Sequence, residues 1–164
     1  MRIRSLLPSD RAQLIDILSQ GAGFRSEEVA CAIELLDAAL APADQDEQDG
    51  YEARVAVSDE PGTGERVLGY VCFGATPMTE ATYDLYWLAV AEDARGRGIG
   101  GALFAAVAQE LKEREARIVR VETSSLEGQG GARRFYEKVG LRLSGAIADF
   151  YRQGDDLLVF AKVL

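Results

Sequence analysis

The sequence predicts an α/β domain, with helices flanking one mixed and mostly antiparallel sheet, and residues 1–164 reading as a single unit. Three observations predict it. Runs of β-branched and aromatic residues alternate with runs at helical spacing, in the order β-α-α-β-β-β-α-β-α-β-β. The run from Tyr83 to Val90 is too continuously apolar for a half-exposed edge and reads as a central, buried strand. The chain's 164 residues, 48% of them hydrophobic, suffice to bury one real core.

Arg2 to Leu6 suits a short first strand. Ser9 or Asp10 can cap a helix that carries Leu14, Ile17 and Leu18 on one face and stops near Gly21. Ser26 starts a second helix, with Glu27 and Glu28 in its first turn, where carboxylates meet the positive end of the helix dipole. Its apolar stripe is Val29, Ile33, Leu36 and Leu40. The acidic stretch from Asp44 to Asp49 reads as a solvated loop. Tyr51 to Ser58 and Val67 to Phe73 read as a hairpin about a turn from Asp59 to Gly64. After the central strand, Gly98 to Arg114 forms a long helix with Ile99, Leu103, Val107 and Leu111 inward. Ile118 to Thr123 is a strand, and Gly131 to Val139 a helix whose end suits Gly140 in the left-handed region. Leu141 to Arg152 and Leu157 to Leu164 close the sheet as a pair about Gln153-Gly154-Asp155.

Composition removes several function classes. A net charge of -9 is the wrong sign for a general nucleic-acid or anionic-membrane binder, so neither partner is expected. The absence of histidine removes Ser-His-Asp and Cys-His catalysis and every His-ligated metal site, and no metal is expected. Cys31 and Cys72 are too few for a disulfide framework, and each reads as a small buried hydrophobe. With no apolar signal core and no apolar run near the roughly 20 residues of a membrane span, a cytoplasmic location is expected.

The segment Arg95-Gly96-Arg97-Gly98-Ile99-Gly100-Gly101, between the central strand and a helix start, carries the most chemistry. Glycines there let backbone approach a phosphate, the first-turn N–H groups point at it, and Arg95 and Arg97 add charge-assisted bonds. Gly96, Gly98 and Gly101 also fit the dinucleotide fingerprint G-x-G-x-x-G, with Glu122 about 20 residues on. Against that reading, Ala91 to Ala94 separate the strand from the glycines. Further, the residues after Glu122 read as a helix and an antiparallel pair rather than more βαβ units. Periodicity alone leaves both readings open.

Arg95-x-x-Gly98-x-Gly100 resembles the Q/R-x-x-G-x-G/A acyl-CoA pyrophosphate loop of the GNAT superfamily of N-acetyltransferases. Ala132-Arg133-Arg134-Phe135-Tyr136-Glu137-Lys138-Val139-Gly140-Leu141 resembles that family's second signature, A-x-x-F-Y-x-x-x-G-F, in the family's order and separation. The resemblance implies a sheet whose central parallel strands splay apart, with acetyl-CoA in the gap and direct acetyl transfer to a primary amine in a ternary complex. It implies backbone N–H groups of Leu88 and Val90 serving the thioester carbonyl and pantetheine arm. Arg95, Gly96, Arg97, Gly98, Ile99, Gly100 and Gly101 would hold the pyrophosphate, and Arg97→Ala is expected to weaken donor binding. Gln129 and Ala132 would touch the pantetheine, Gln129 standing where many members have Asn. Tyr136 is the implied general acid for the leaving thiolate. A carboxylate must serve as base in a chain without histidine; the resemblance makes Asp84 the first choice, acting through water from the strand position where several members carry an acidic base, and Glu122 on the neighbouring strand the second. Glu28, Asp149 and Tyr151, with Glu34, are polar candidates for the acceptor side, where an acidic surface would attract a cationic amine. The competing class is a non-catalytic acyl-CoA-binding module. A homodimer is compatible with the implied fold.

Overall fold

A computed structural model describes residues 1–20, 24–41, 50–60, 64–126 and 130–164. Among these residues, seven strands form one sheet: β1 (Arg2–Ser5), β2 (Glu52–Glu60), β3 (Gly64–Ala75), β4 (Thr82–Val90), β5 (Ile118–Ser124), β6 (Arg142–Arg152) and β7 (Asp155–Val163). Four α-helices accompany them: α1 (Arg11–Gln20), α2 (Ser26–Leu40), α3 (Ile99–Glu113) and α4 (Gly130–Lys138). The element order matches the sequence reading, and the strand order in space is β1-β2-β3-β4-β5-β7-β6.

Alternation along the strands divides the apolar side chains into two cores. On one face α3 lays Leu103, Val107 and Leu111, and α4 Tyr136, in one core with Val71, Phe73 and Phe160. On the other, α1 and α2 lay Leu14, Leu18 and Leu36 against Val55, Val57 and Tyr70. Burying each such side chain contributes about 1.5–3 kcal/mol.

Among the described residues only β4 and β5 run parallel, and they pair over just Thr82↔Ile118, Tyr83↔Val119 and Asp84↔Arg120. Beyond Asp84 the two strands part. Each stays fastened on its far side, β4 to β3 up to Val90 and β5 to β7 up to Ser124, so the sheet opens as a wedge. A bulge accompanies the opening: Cys72 faces Trp87 but Phe73 faces Leu85, which leaves Tyr86 as an extra residue on β4.

Several sequence expectations shift. Asp10 does not cap forward; α1 follows a short 3-10 turn, and the Asp10 carboxylate accepts the Leu7 N–H at 2.8 Å. Likewise Glu28 reaches back to accept the Arg25 N–H at 2.8 Å, ahead of α2. Cys72 is buried and its thiol is pushed up to about 12 by that burial, whereas Cys31 is exposed on α2 rather than buried. The hairpin strands run on to Glu60 and from Gly64. The helix stop near Gly21, the acidic stretch from Asp44 and the turn at 61–63 lie outside the described residues. None of the helices among the described residues is long and apolar enough to cross a membrane.

Asp10 is buried and pairs with Arg4 at 2.7 and 2.8 Å. Burial pushes its carboxyl up; the Arg4 hydrogen bonds and the Leu7 N–H outweigh this and hold it below the ordinary 3.8. A carboxyl depressed in the folded state contributes stability that is complete above its unfolded value and lost as pH falls through its folded one. Asp10→Ala is therefore expected to cost about 3 kcal/mol at pH 7, and to reduce the loss of stability below about pH 4, in urea titrations across pH.

Candidate active site

The donor side is built where β4 ends. A 3-10 turn at Glu92–Ala94 separates the strand from the glycines, and Gly96 and Gly98 then take φ of +76° and +78°. Glycine meets that left-handed geometry without strain. Gly98 is the residue before α3, and no side chain caps the helix there. A Cβ at Gly98 or Gly101 would meet nothing within 4 Å, so the helix end has open space around its N–H groups. A cavity of about 780 Å³ lies over it, between the end of β4, the start of α3 and one face of α4. Leu88, Val90, Gly96, Ile99 and Gly100 line it, as does Arg95, whose Nε donates to the Val90 carbonyl at 3.3 Å. Arg97 is exposed and does not line the cavity. This helix end, with one arginine on its wall, is suited to an anionic group.

The orientation of the β4 backbone follows from one bond. Ala91 N–H donates to Leu68 O on β3 at 2.9 Å. Successive N–H groups in a strand point to opposite sides, so those of Val90 and Leu88 point away from β3, into the wedge that β5 has left. Among the described residues these donors have no neighbouring strand, the arrangement that a carbonyl gaining negative charge requires.

A second cavity, of about 390 Å³, lies across the wedge. Glu27, Glu28 and Cys31 of α2, Trp87 of β4, Glu122 of β5 and Tyr151 of β6 are on its walls. Phe24 meets Trp87 edge-on at 5.2 Å. Leu88, Ala132, Tyr136 and Phe24 line both cavities, so the two meet at those four side chains.

Tyr136 is buried between Phe135 and Phe160, with ring centroids 5.4 and 5.9 Å away. Burial pushes its phenol up to about 12, which keeps the proton on oxygen throughout the neutral range. Glu122 accepts from Arg120 Nη1 at 3.0 Å and faces the second cavity. Asp84 is placed differently: buried, it accepts from Thr76 Oγ1 at 2.7 Å, lies 2.5 Å from Arg120 Nε, and lines neither cavity. Arg120 thus links the two carboxylates.

On the acceptor side, burial and then the charges of Glu122, Asp155 and Glu28 raise the Tyr151 phenol. Asp149, at φ 52°, lies in the irregular last part of β6: its carboxylate accepts the Gly154 N–H at 2.6 Å and its own N–H donates to Asp156. Neither Asp149 nor Glu34 lines the cavity, and Gln129 lies outside the described residues. The sequence reading missed Glu27, Phe24 and Trp87 as wall residues. The aromatic run on β4 was the available signal, but its continuity reads as core.

Two cavities thus meet through a split sheet, one over an uncapped helix end and the other walled by carboxylates and aromatic rings, an arrangement with room for two ligands side by side. The acetyltransferase (GNAT) domain model matches residues 49–142. A solved structure from Desulfovibrio desulfuricans, assigned to the GNAT acetyltransferases, is 34% identical over 99% of this chain and 98% of that one, with a TM-score of 0.87. The chain belongs to the GNAT acetyltransferase family. The same fold recurs at lower identity. An aminoglycoside 6'-N-acetyltransferase complexed with coenzyme A is 18% identical, over 99% and 97% of the two chains, with a TM-score of 0.72. A ribosomal-protein-alanine N-acetyltransferase from Brucella melitensis is 21% identical over the whole of both chains, also with a TM-score of 0.72. No curated protein matches the sequence.

Proposed function

We propose that the protein is an N-acetyltransferase that moves an acetyl group from acetyl-CoA directly to a primary amine, both being bound at once. The observation that carries this reading is the meeting of the two cavities at Leu88, Ala132 and Tyr136. Bound acetyl-CoA supplies an activated thioester, and the remaining work falls to the chain. Arg95 and the first-turn N–H groups of α3 hold the pyrophosphate, with Arg97 adding charge from outside the wall. Leu88 and Val90 N–H groups polarise the thioester carbonyl and steady the pantetheine arm. Tyr136 keeps its proton and donates to the departing sulfur. Glu122 removes a proton from the incoming ammonium, directly or through one water, and Arg120 holds it in place. This order of candidates puts Glu122 before Asp84, because only Glu122 faces the acceptor cavity.

Glu27, Glu28 and Glu122 favour a cationic acceptor, which suits an amine. The relatives' names, which include an aminoglycoside and a ribosomal-protein alanine as acceptors, span too wide a range to select one.

Calorimetric titration with acetyl-CoA, CoA and NAD, on protein freed of copurified ligand, tests the donor. Affinity of roughly micromolar order for the CoA forms, with NAD silent, is the expected result. Arg95→Ala is expected to weaken it by about 1–3 kcal/mol, and Arg97→Ala by less. Silence from both CoA forms overturns the reading. Binding with no amine-dependent release of free thiol, across a panel of amines, leaves the non-catalytic acyl-CoA-binding module instead.

A further inference from the structure

An amine must reach the thioester uncharged, because only its free lone pair can attack the carbonyl. Once Glu122 has taken the proton, neither it nor the reacting nitrogen carries a charge. Arg120 then keeps Asp84 as its counter-ion, 2.5 Å away. The acceptor cavity still carries negative charge on its opposite wall, where Glu27 and Glu28 stand in the first turn of α2. Glu28 is committed to structure: its carboxylate accepts the Arg25 N–H at 2.8 Å and lies 3.4 Å from the Arg25 guanidinium. Glu27 is not. It accepts the neighbouring Ser26 hydroxyl at 3.3 Å, makes no ion pair among the described residues, and feels Arg25 only as a more distant charge.

The rest of the wall suits a cation on an apolar chain and gives an anion no partner. Arg25 is the one cation among the described lining residues, and Glu28 already holds it. The Ser124 hydroxyl is likewise taken, donating to Asp155. Phe24, Tyr86, Trp87 and Tyr151 supply aromatic surface, which packs against methylene groups and draws a cation to its ring faces. The Tyr151 phenol reports the same field: after burial, the charges of Glu122, Asp155 and Glu28 raise it, and Arg25 opposes them only in part. A volume of about 390 Å³ holds a small molecule.

We infer that the acceptor is an aliphatic diamine or polyamine, and that Glu27 selects it by pairing with the ammonium that does not react. The inference rests on the acetyl-transfer reading, with Glu122 at the reacting end. There the N–C bond forms as the C–S bond breaks. The first ammonium proton goes to Glu122, and the second, lost after attack, balances the proton that Tyr136 gives to the sulfur. The products are a monoacetylated amine and the free thiol of CoA. The distal ammonium keeps its charge throughout, so its pairing with Glu27 acts on binding rather than on the chemical step. An acceptor with a carboxylate at that end would meet Glu27 and Glu28 with no free cation on the wall, and is rejected.

The test is initial-rate kinetics of the full chain at saturating acetyl-CoA, read as free thiol released. The acceptors are putrescine and cadaverine, the monoamines butylamine and pentylamine, and the amino acids γ-aminobutyrate and δ-aminovalerate. The diamines should show a KM about tenfold below that of the monoamines, with kcat within about twofold, and the gap should narrow as salt is raised. The amino acids should be the poorest acceptors. Glu27→Gln should raise the diamine KM by about tenfold with little change in kcat, and Glu27→Asp should restore part of the loss. Glu34→Gln removes the same charge from α2 at an exposed position outside the cavity, and should leave the diamine preference as it is in the wild type. Equal KM for diamines and monoamines, or a preference that survives Glu27→Gln, overturns the inference and leaves the acetyl-transfer reading standing. Thiol release from no amine of the panel, although acetyl-CoA binds, overturns the transfer reading and this inference with it.

Discussion

Replacing Tyr136 by phenylalanine is expected to lower kcat by about 10²–10³ while leaving acetyl-CoA affinity within about twofold. The phenol lies where the donor and acceptor cavities meet, and its ring is held between Phe135 and Phe160. Phenylalanine keeps that ring packing, so the substitution removes the O–H and little else. A phenol near 12 is a weaker acid than a thiol near 8.5, so complete proton transfer to the sulfur is uphill. The gain comes from a hydrogen bond that strengthens as the sulfur takes up charge in a water-poor cavity. Two measurements check it. Single-turnover kinetics should place the loss in acetyl transfer, and the wild-type rate should not fall between about pH 8 and 10, because the phenol stays protonated there. A Tyr136→Phe enzyme with an unchanged chemical step removes the role.

The fold was largely legible because periodicity and glycine placement report local geometry. The run from Tyr83 to Val90 reads as a central strand, and it is one. Gly98 before an apolar helical stripe marks the start of α3 to within a residue, since only glycine takes its φ of +78° without strain. What the sequence hides is set by pairing across distance. The bulge at Tyr86 exists because Phe73 faces Leu85 while Cys72 faces Trp87. No local pattern encodes that register, yet it helps to set the face on which Trp87 meets the acceptor cavity. Arg95 and Arg97 look equivalent in the chain, but only Arg95 is on the cavity wall. Asp84 and Glu122 are both carboxylates on central strands, and what separates them is Arg120. It lies 2.5 Å from Asp84 and donates to Glu122 at 3.0 Å, and Thr76 completes the enclosure of Asp84.

That separation carries the second large effect, a fall in kcat/KM of about 10²–10³ for Glu122→Gln near neutral pH. The size comes from the acceptor. An alkylamine with a pKa near 10.4 is unprotonated in only about one molecule in 10³ at pH 7. A base in the cavity can therefore be worth nearly that factor, and glutamine keeps the side-chain volume while losing the basicity. The deficit should close by about tenfold for each pH unit above 7, as solution chemistry takes over the deprotonation, while the wild-type profile stays flatter. Asp84→Asn should cost less than about tenfold, because Asp84 faces neither cavity and acts on Glu122 only through Arg120. Parallel pH–rate profiles of the two variants decide the matter. If Asp84→Asn shows the larger and more pH-dependent loss, the proton leaves by way of Asp84, and Arg120 must then move off that carboxylate before each turnover.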